Sequence, residues 1–238
     1  MESLQVPELR RLLDAAAELG TVLSRPALRQ RTVEILFTLV PCTRAGWVTM
    51  DTRTGAMTGL HLPEPLPFLI PVMPRDLRDV PMVAELLAAP QPGSLRISDT
   101  MTAEEWQARP LHDAIYKPMG GAFQIGTLLS VDDGLIETLA VFRADADFSD
   151  HELAFVEAFA RQVRVVLARL RATDARDARA LLTPRQRQVL AELQTGATVR
   201  QAALSLGITE KTLENHLQAI YRRLGVSSRT AALHRLAG

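Results

Sequence analysis

The sequence predicts an α+β protein: a larger N-terminal part built on an antiparallel sheet with flanking helices, then a small all-α part of four helices. Three observations carry this. Residues 122–131 and 135–144 are apolar runs facing each other across Asp132-Asp133-Gly134, a hairpin signal. The stretch Arg171 to Ala180, RATDARDARA, is charged and alanine-rich and stands before a marked helix start. Beyond it, glycines and capping residues cut the chain into four short helical segments. The expected division is 1–170 for the first domain, 171–180 for a charged helical linker and 181–238 for the second domain.

Taken in order, Leu9, Leu12, Leu13, Ala16, Leu19 and Leu23 make a helical stripe within Pro7 to Ser24. Pro26 opens a second helix that ends near Pro41. Residues 45–51 and 56–62 flank Thr52-Arg53-Thr54-Gly55 as a hairpin. The proline-rich stretch Pro63 to Pro74 does not suit a regular central strand. Residues 94–99 form a short strand. After the second hairpin, Ser149 and Glu152 form a capping box for a long helix. Leu153, Val156, Ala160, Val163, Leu167 and Leu170 give it a seam at alternating spacings, and Phe155, Phe159 and Val166 widen that face toward the sheet. Two readings stay open: a plain core helix, or one whose last turns pair two subunits.

Bulk properties narrow the function. No apolar run among the 238 residues approaches the roughly 20 that a membrane span needs, and the N-terminus lacks the apolar core of a secretory signal. A cytoplasmic protein without membrane association is expected. Its single cysteine, Cys42, has no partner at metal-ligand or nucleophile spacing and reads as a buried thiol. The formal net charge is zero, but residues 181–238 carry 8 Lys+Arg against 3 Asp+Glu, a net +5, leaving −5 on the remainder. The basic tail is the part suited to a polyanion.

In that tail, Thr183 caps a first helix from Pro184 to about Gln194, with Gln186 completing the box and Gly196 the stop. Thr198 and Gln201 open a second, over 199–206, and Gly207 makes the turn. The third starts at the Thr209 cap and ends near Leu224-Gly225; the fourth covers about 228–236. On a wheel of about 100° per residue, Leu213, Leu217, Ile220 and Leu224 share one sector of the third helix. Lys211, Asn215, Gln218 and Arg222 lie opposite. Amides suit adenine edges in the major groove, and cations suit phosphates or guanine. Glu214 stands at the flank, with three roles open: pairing with Lys211, accepting from cytosine, or tolerated at the edge.

The block from Leu181 to Leu236, with LTPRQRQVL at its start and Gly196, Ala203, Leu206, Thr212, His216, Leu217 and Leu224-Gly225-Val226 within it, resembles the LuxR/FixJ-type helix-turn-helix of bacterial transcription regulators. The resemblance implies a four-helix domain that binds double-stranded DNA, reads the major groove with its third helix and dimerises through its last. DNA contacts are then expected at Arg200, Thr209, Lys211, Thr212, Glu214, Asn215, His216, Gln218, Arg222 and Arg223. The chain departs from the family at Glu214, usually basic, at Val199, usually Asn, and at Gln201, usually acidic. These departures bear on the operator and leave the fold untouched.

The first part lacks the early acidic pair of a phospho-acceptor receiver, and its aromatic spacing does not match an acyl-homoserine-lactone sensor. Its order of elements, with Phe148-Ser149-Asp150 opening the long helix, is similar to GAF-type sensor domains. That similarity implies a small-molecule pocket between sheet and crossover, with Trp47, Met50, Tyr116 and Phe123 either lining it or forming plain core. No metal site, cofactor or catalytic constellation is expected, so the chain is not read as an enzyme. The expected function is a homodimeric DNA-binding regulator; the alternative is a protein–protein adaptor that uses the helical bundle without DNA.

Overall fold

The computed structural model describes residues 4–54, 56–64, 81–89, 91, 93–118, 120–132 and 134–237. The chain divides into two compact units, Met1–Leu167 and Ala168–Gly238.

The first unit opens with α1 (Val6–Gly20) and α2 (Arg25–Leu39). The backbone N–H of Gln5 donates to the Glu8 carboxylate at 2.8 Å, closing the first turn of α1. Ser24 caps α2 by accepting from the Ala27 N–H at 3.4 Å. The stripe expected along the first helix is split in the structure. Leu12, Ala15 and Leu19 are buried, whereas Leu9, Leu13 and Leu23 are exposed.

Strands β1 (Arg44–Asp51), β2 (Met57–Leu62), β3 (Ser94–Arg96), β4 (Phe123–Asp132) and β5 (Leu135–Arg143) form one sheet in the order β2-β1-β5-β4-β3. Every neighbouring pair is antiparallel. The strand expected over 94–99 stops halfway. The Asp99 carboxylate accepts from the Arg96 N–H at 2.7 Å and from its guanidinium at 2.9 Å, which curls Ile97–Asp99 into a 3₁₀ turn. The irregular segment expected over Pro63 to Pro74 lies, from residue 65, outside the described residues. After it come α3 (Pro81–Ala88), α4 (Ala103–Gln107) and a π-helical turn, His112–Tyr116.

Strand alternation separates the two sides of the sheet. One side carries Ala45, Trp47, Thr127, Glu137, Leu139 and Val141, and receives α2 and the first turns of α5 (Asp150–Ala180). There Glu137 is buried, held by Arg29 at 2.7 Å, Arg25 at 3.5 Å and the Ser130 hydroxyl at 3.1 Å. Glu157 of α5 accepts from Ser94 at 2.7 Å and Arg164 at 2.8 Å, fixing that helix to the sheet edge. The other side packs Met50, Met57, Met82, Leu86, Trp106 and Tyr116 into a second core.

Residues 171–180 are the last turns of α5 itself. Their alanines are not spacers, since Ala178 joins Leu182, Val189, Leu190, Leu193 and Leu213 in the core of the second unit. That unit adds α6 (Pro184–Gln194), α7 (Val199–Ser205), α8 (Glu210–Leu224) and α9 (Arg229–Ala237).

Candidate nucleic-acid interface

Local rules place each helix of the second unit. Thr183 accepts from the Gln186 N–H at 3.3 Å while Gln186 Oε1 accepts from the Thr183 N–H at 3.0 Å. The same reciprocal pair, at 3.2 and 2.9 Å, joins Thr198 and Gln201 at the start of α7. Gly207 then turns the chain at φ +63°, a conformation that costs an L side chain about 1–2 kcal/mol. The Ile208 N–H reaches back to the Ala203 carbonyl at 3.0 Å. Thr209 caps α8 through the Thr212 N–H at 3.1 Å, and Gly225 ends it at φ +66°.

Between these stops, Leu213, Leu217, Ile220 and Leu224 are all buried, and Ala202 and Ala203 of α7 are buried with them. Rotation of α8 is therefore set by its apolar row. Lys211, Asn215, Gln218 and Arg222 are exposed together on its opposite side, as are Arg200 on α7 and Thr209 and Thr212 at the cap. The Thr209 and Thr212 hydroxyls bond each other at 2.8 Å. Glu214 is exposed and 3.8 Å from Lys211, so the pairing option is the one present in the unbound chain. Such an exposed pair is worth at most about 1 kcal/mol and leaves Lys211 available to a stronger anion. His216 is half-buried beside this face.

Arg223 behaves differently from the others. Its Nη1 donates to Gln186 Oε1 at 2.9 Å and to the Leu181 carbonyl at 3.3 Å, tying α8 to the start of α6. Arg185, Arg187 and Arg229 are likewise turned inward, onto the carbonyls of Leu206, Leu182 and Leu193 at 2.7, 2.6 and 3.0 Å. The basic charge of the tail thus serves two ends. Part of it satisfies helix-end carbonyls, and Arg200, Lys211 and Arg222 remain outward.

In the first unit the four residues expected to line a pocket do not converge. Trp47 lies on the α2 side, with the Arg29 guanidinium 5.8 Å from its ring centre. Phe123 is half-buried and shares that side by alternation with Thr127. Met50 and Tyr116 belong to the other core. Residues 47 and 50 are three apart on one strand, so they point to opposite faces. The residues that sequence reasoning left out are Trp106, whose ring meets Tyr116 edge-on at 4.6 Å, and Gln124. Both are buried, and the Trp106 indole N–H and Gln124 carbonyl oxygen have no hydrogen-bond partner among the described residues. Burial drives the Tyr116 hydroxyl well above its ordinary pKa, against a hydrogen bond from Gln124 that lowers it. No sequence pattern announces an unpaired indole; it follows only from the packing.

Comparison with known proteins agrees with both halves. Residues 24–167 match the GAF domain and residues 180–236 match the luxR family of bacterial regulatory proteins. The chain belongs to the GAF-domain family and carries a luxR-family helix-turn-helix at its C-terminal end. Over 57 residues it is 42% identical to the "Probable HTH-type transcriptional regulator GfsR" of Streptomyces halstedii, which covers 24% of each chain. Over 54 residues it is 39% identical to the CsgBAC operon transcriptional regulatory protein of Escherichia coli, covering 23% of this chain and 25% of that one. The chain thus aligns with about a quarter of the length of these relatives. Escherichia coli SdiA shares the fold at 14% identity and a TM-score of 0.57, covering 96% of this chain and 98% of that one.

Proposed function

We propose that this chain is a cytoplasmic transcription regulator that binds double-stranded DNA as a homodimer, with α8 in the major groove. The observation that carries the reading is the division of α8 into a fully buried apolar row and an outward side bearing Lys211, Asn215, Gln218 and Arg222. Asn215 and Gln218 read base edges by paired donor and acceptor contacts. Arg200, Lys211 and Arg222 neutralise phosphates, and Thr209, Thr212 and His216 add contacts at the start and flank of the helix. Glu214 limits affinity for arbitrary sequence by placing a carboxylate near the phosphates. Arg223 acts as a positioning residue, holding α8 against α6.

The GAF domain is the sensory module of this regulator and does no catalysis. A small ligand would be held on the Met50 and Tyr116 side of the sheet, where Trp106 offers a donor and Gln124 an acceptor. Its size and polarity would follow from those two groups.

Fluorescence anisotropy with duplexes of varied half-site spacing, repeated over a salt series, tests the reading. Affinity should fall steeply with salt and peak where half-sites recur about one helical turn, roughly 34 Å, apart. Salt-independent association, or none, would leave the bundle as an adaptor for proteins.

A further inference from the structure

Helix α1 has a second apolar side that no described residue of its own unit covers. Val6 is 72% exposed, Leu9 46% and Leu13 70%, while Leu12, Ala15 and Leu19 hold the helix to the core. On the wheel, Val6, Leu9, Leu13, Ala16, Ala17 and Gly20 fall within about 60° of Leu13. This sector is graded. Its N-terminal half is large and branched, its C-terminal half is alanine and glycine, and a side chain added at Gly20 would enter open space.

We propose that this face is where a second copy of the chain docks, as an antiparallel α1–α1 pair about a twofold axis at Leu13. It supplies the contact for the pairing of copies proposed above and rests on that pairing, not on DNA recognition. The size gradient is what selects a copy over an unrelated partner. In the antiparallel arrangement Leu9 comes level with the partner's Ala17 and Val6 with the partner's Gly20, so large groups meet small ones on both sides of the central Leu13 pair. A parallel pair would set Val6 on Val6 and glycine on glycine, leaving a gap at one end.

Charge points the same way. Arg10 and Asp14 are exposed along one edge of the sector, and no ion pair holds either among the described residues. In antiparallel helices like edges meet. Arg10 then falls within two residues, about 3 Å of axial rise, of the partner's Asp14. Twofold symmetry makes this contact twice, once on each side of Leu13. A seam one 15-residue helix long is small for an interface, which fits a micromolar dimer strengthened when both tails are on DNA.

Sedimentation of the full chain across a micromolar concentration series tests this. The wild type should pass from monomer to dimer. Leu13→Asp should raise the dissociation constant about a hundredfold by setting two carboxylates together in the seam, with the circular dichroism spectrum unchanged. Arg10→Asp and Asp14→Arg should each weaken the dimer, and the double variant should recover it. In a Cys42→Ser background, Leu13→Cys should cross-link to itself, whereas Val6→Cys should cross-link only to chains carrying Gly20→Cys. A wild type monomeric throughout, a Leu13→Asp dimer of undiminished strength, or a double variant no better than the singles would overturn the proposal. Salt-dependent binding of Leu13→Asp to a single half-site, measured alongside, reports on DNA recognition separately.

Discussion

Arg222 and Arg223 are neighbours on one helix, yet one is turned outward and the other bonded to α6, so under the proposed function alanine at each position should separate their duties. Arg223 loses two hydrogen bonds, 2.9 Å to Gln186 Oε1 and 3.3 Å to the Leu181 carbonyl. A bond from a charged donor contributes about 1.5–3 kcal/mol when shielded. Arg223 is exposed, so solvent screening reduces the pair together to about 1–2 kcal/mol. For a domain of this size that lowers the melting temperature by about 4–16 °C. Arg222 is exposed and donates to no described residue, so Arg222→Ala should leave the melting temperature within about a degree or two. On DNA the order reverses. Arg222→Ala should flatten the plot of log affinity against log salt by about 0.9, one phosphate contact, while Arg223→Ala, kept below its melting point, should retain the wild-type slope. Differential scanning calorimetry and anisotropy on the same preparations supply both numbers. Equal slopes with equal melting points would refute the division of the basic charge into inward and outward sets.

Other outcomes follow from single features. Gly207→Ala should destabilise the second unit by about 1–2 kcal/mol in thermal melts, and solely through the backbone, because the added methyl meets nothing within 4 Å. Glu214→Lys reverses a charge at the flank of the side proposed to meet DNA, so binding to random duplex should strengthen and its salt dependence steepen. His61 is buried against Gly46 and Gly59, and burial together with the Arg44 charge lowers its pKa to about 4. The unfolded chain therefore binds the extra proton first as pH falls. The neutral ring contributes up to about 3 kcal/mol above pH 6.5 that is lost progressively toward pH 4, and His61→Gln should remove this slope from urea melts of the first unit.

What was legible in the sequence was what local chemistry writes. The Thr183–Gln186 and Thr198–Gln201 boxes, the hairpin that pairs Asp132 with Leu135 and the glycine stops each depend on a few nearby residues, and each sits where the residues say. The α8 wheel was readable for the same reason: one helix with one buried row has only one way to face. Helix α1 was not, because apolar residues on both sides of it make a single stripe ambiguous until the core is seen. The wheel sets Arg223 about 100° from Arg222, but its duty appears only with the closeness of Gln186, 37 positions earlier. For Trp47 and Met50 the plain-core alternative was within reach of a simple rule, since an odd separation on one strand puts side chains on opposite faces.

The central claim is that the outward side of α8 recognises a DNA sequence. It is tested most directly by a genome-wide map of bound DNA made with the intact chain and with Asn215→Ala/Gln218→Ala. The account predicts a recurring two-part motif for the former and scattered, salt-sensitive occupancy without that motif for the latter. The same motif recovered at the same strength from both proteins would contradict it.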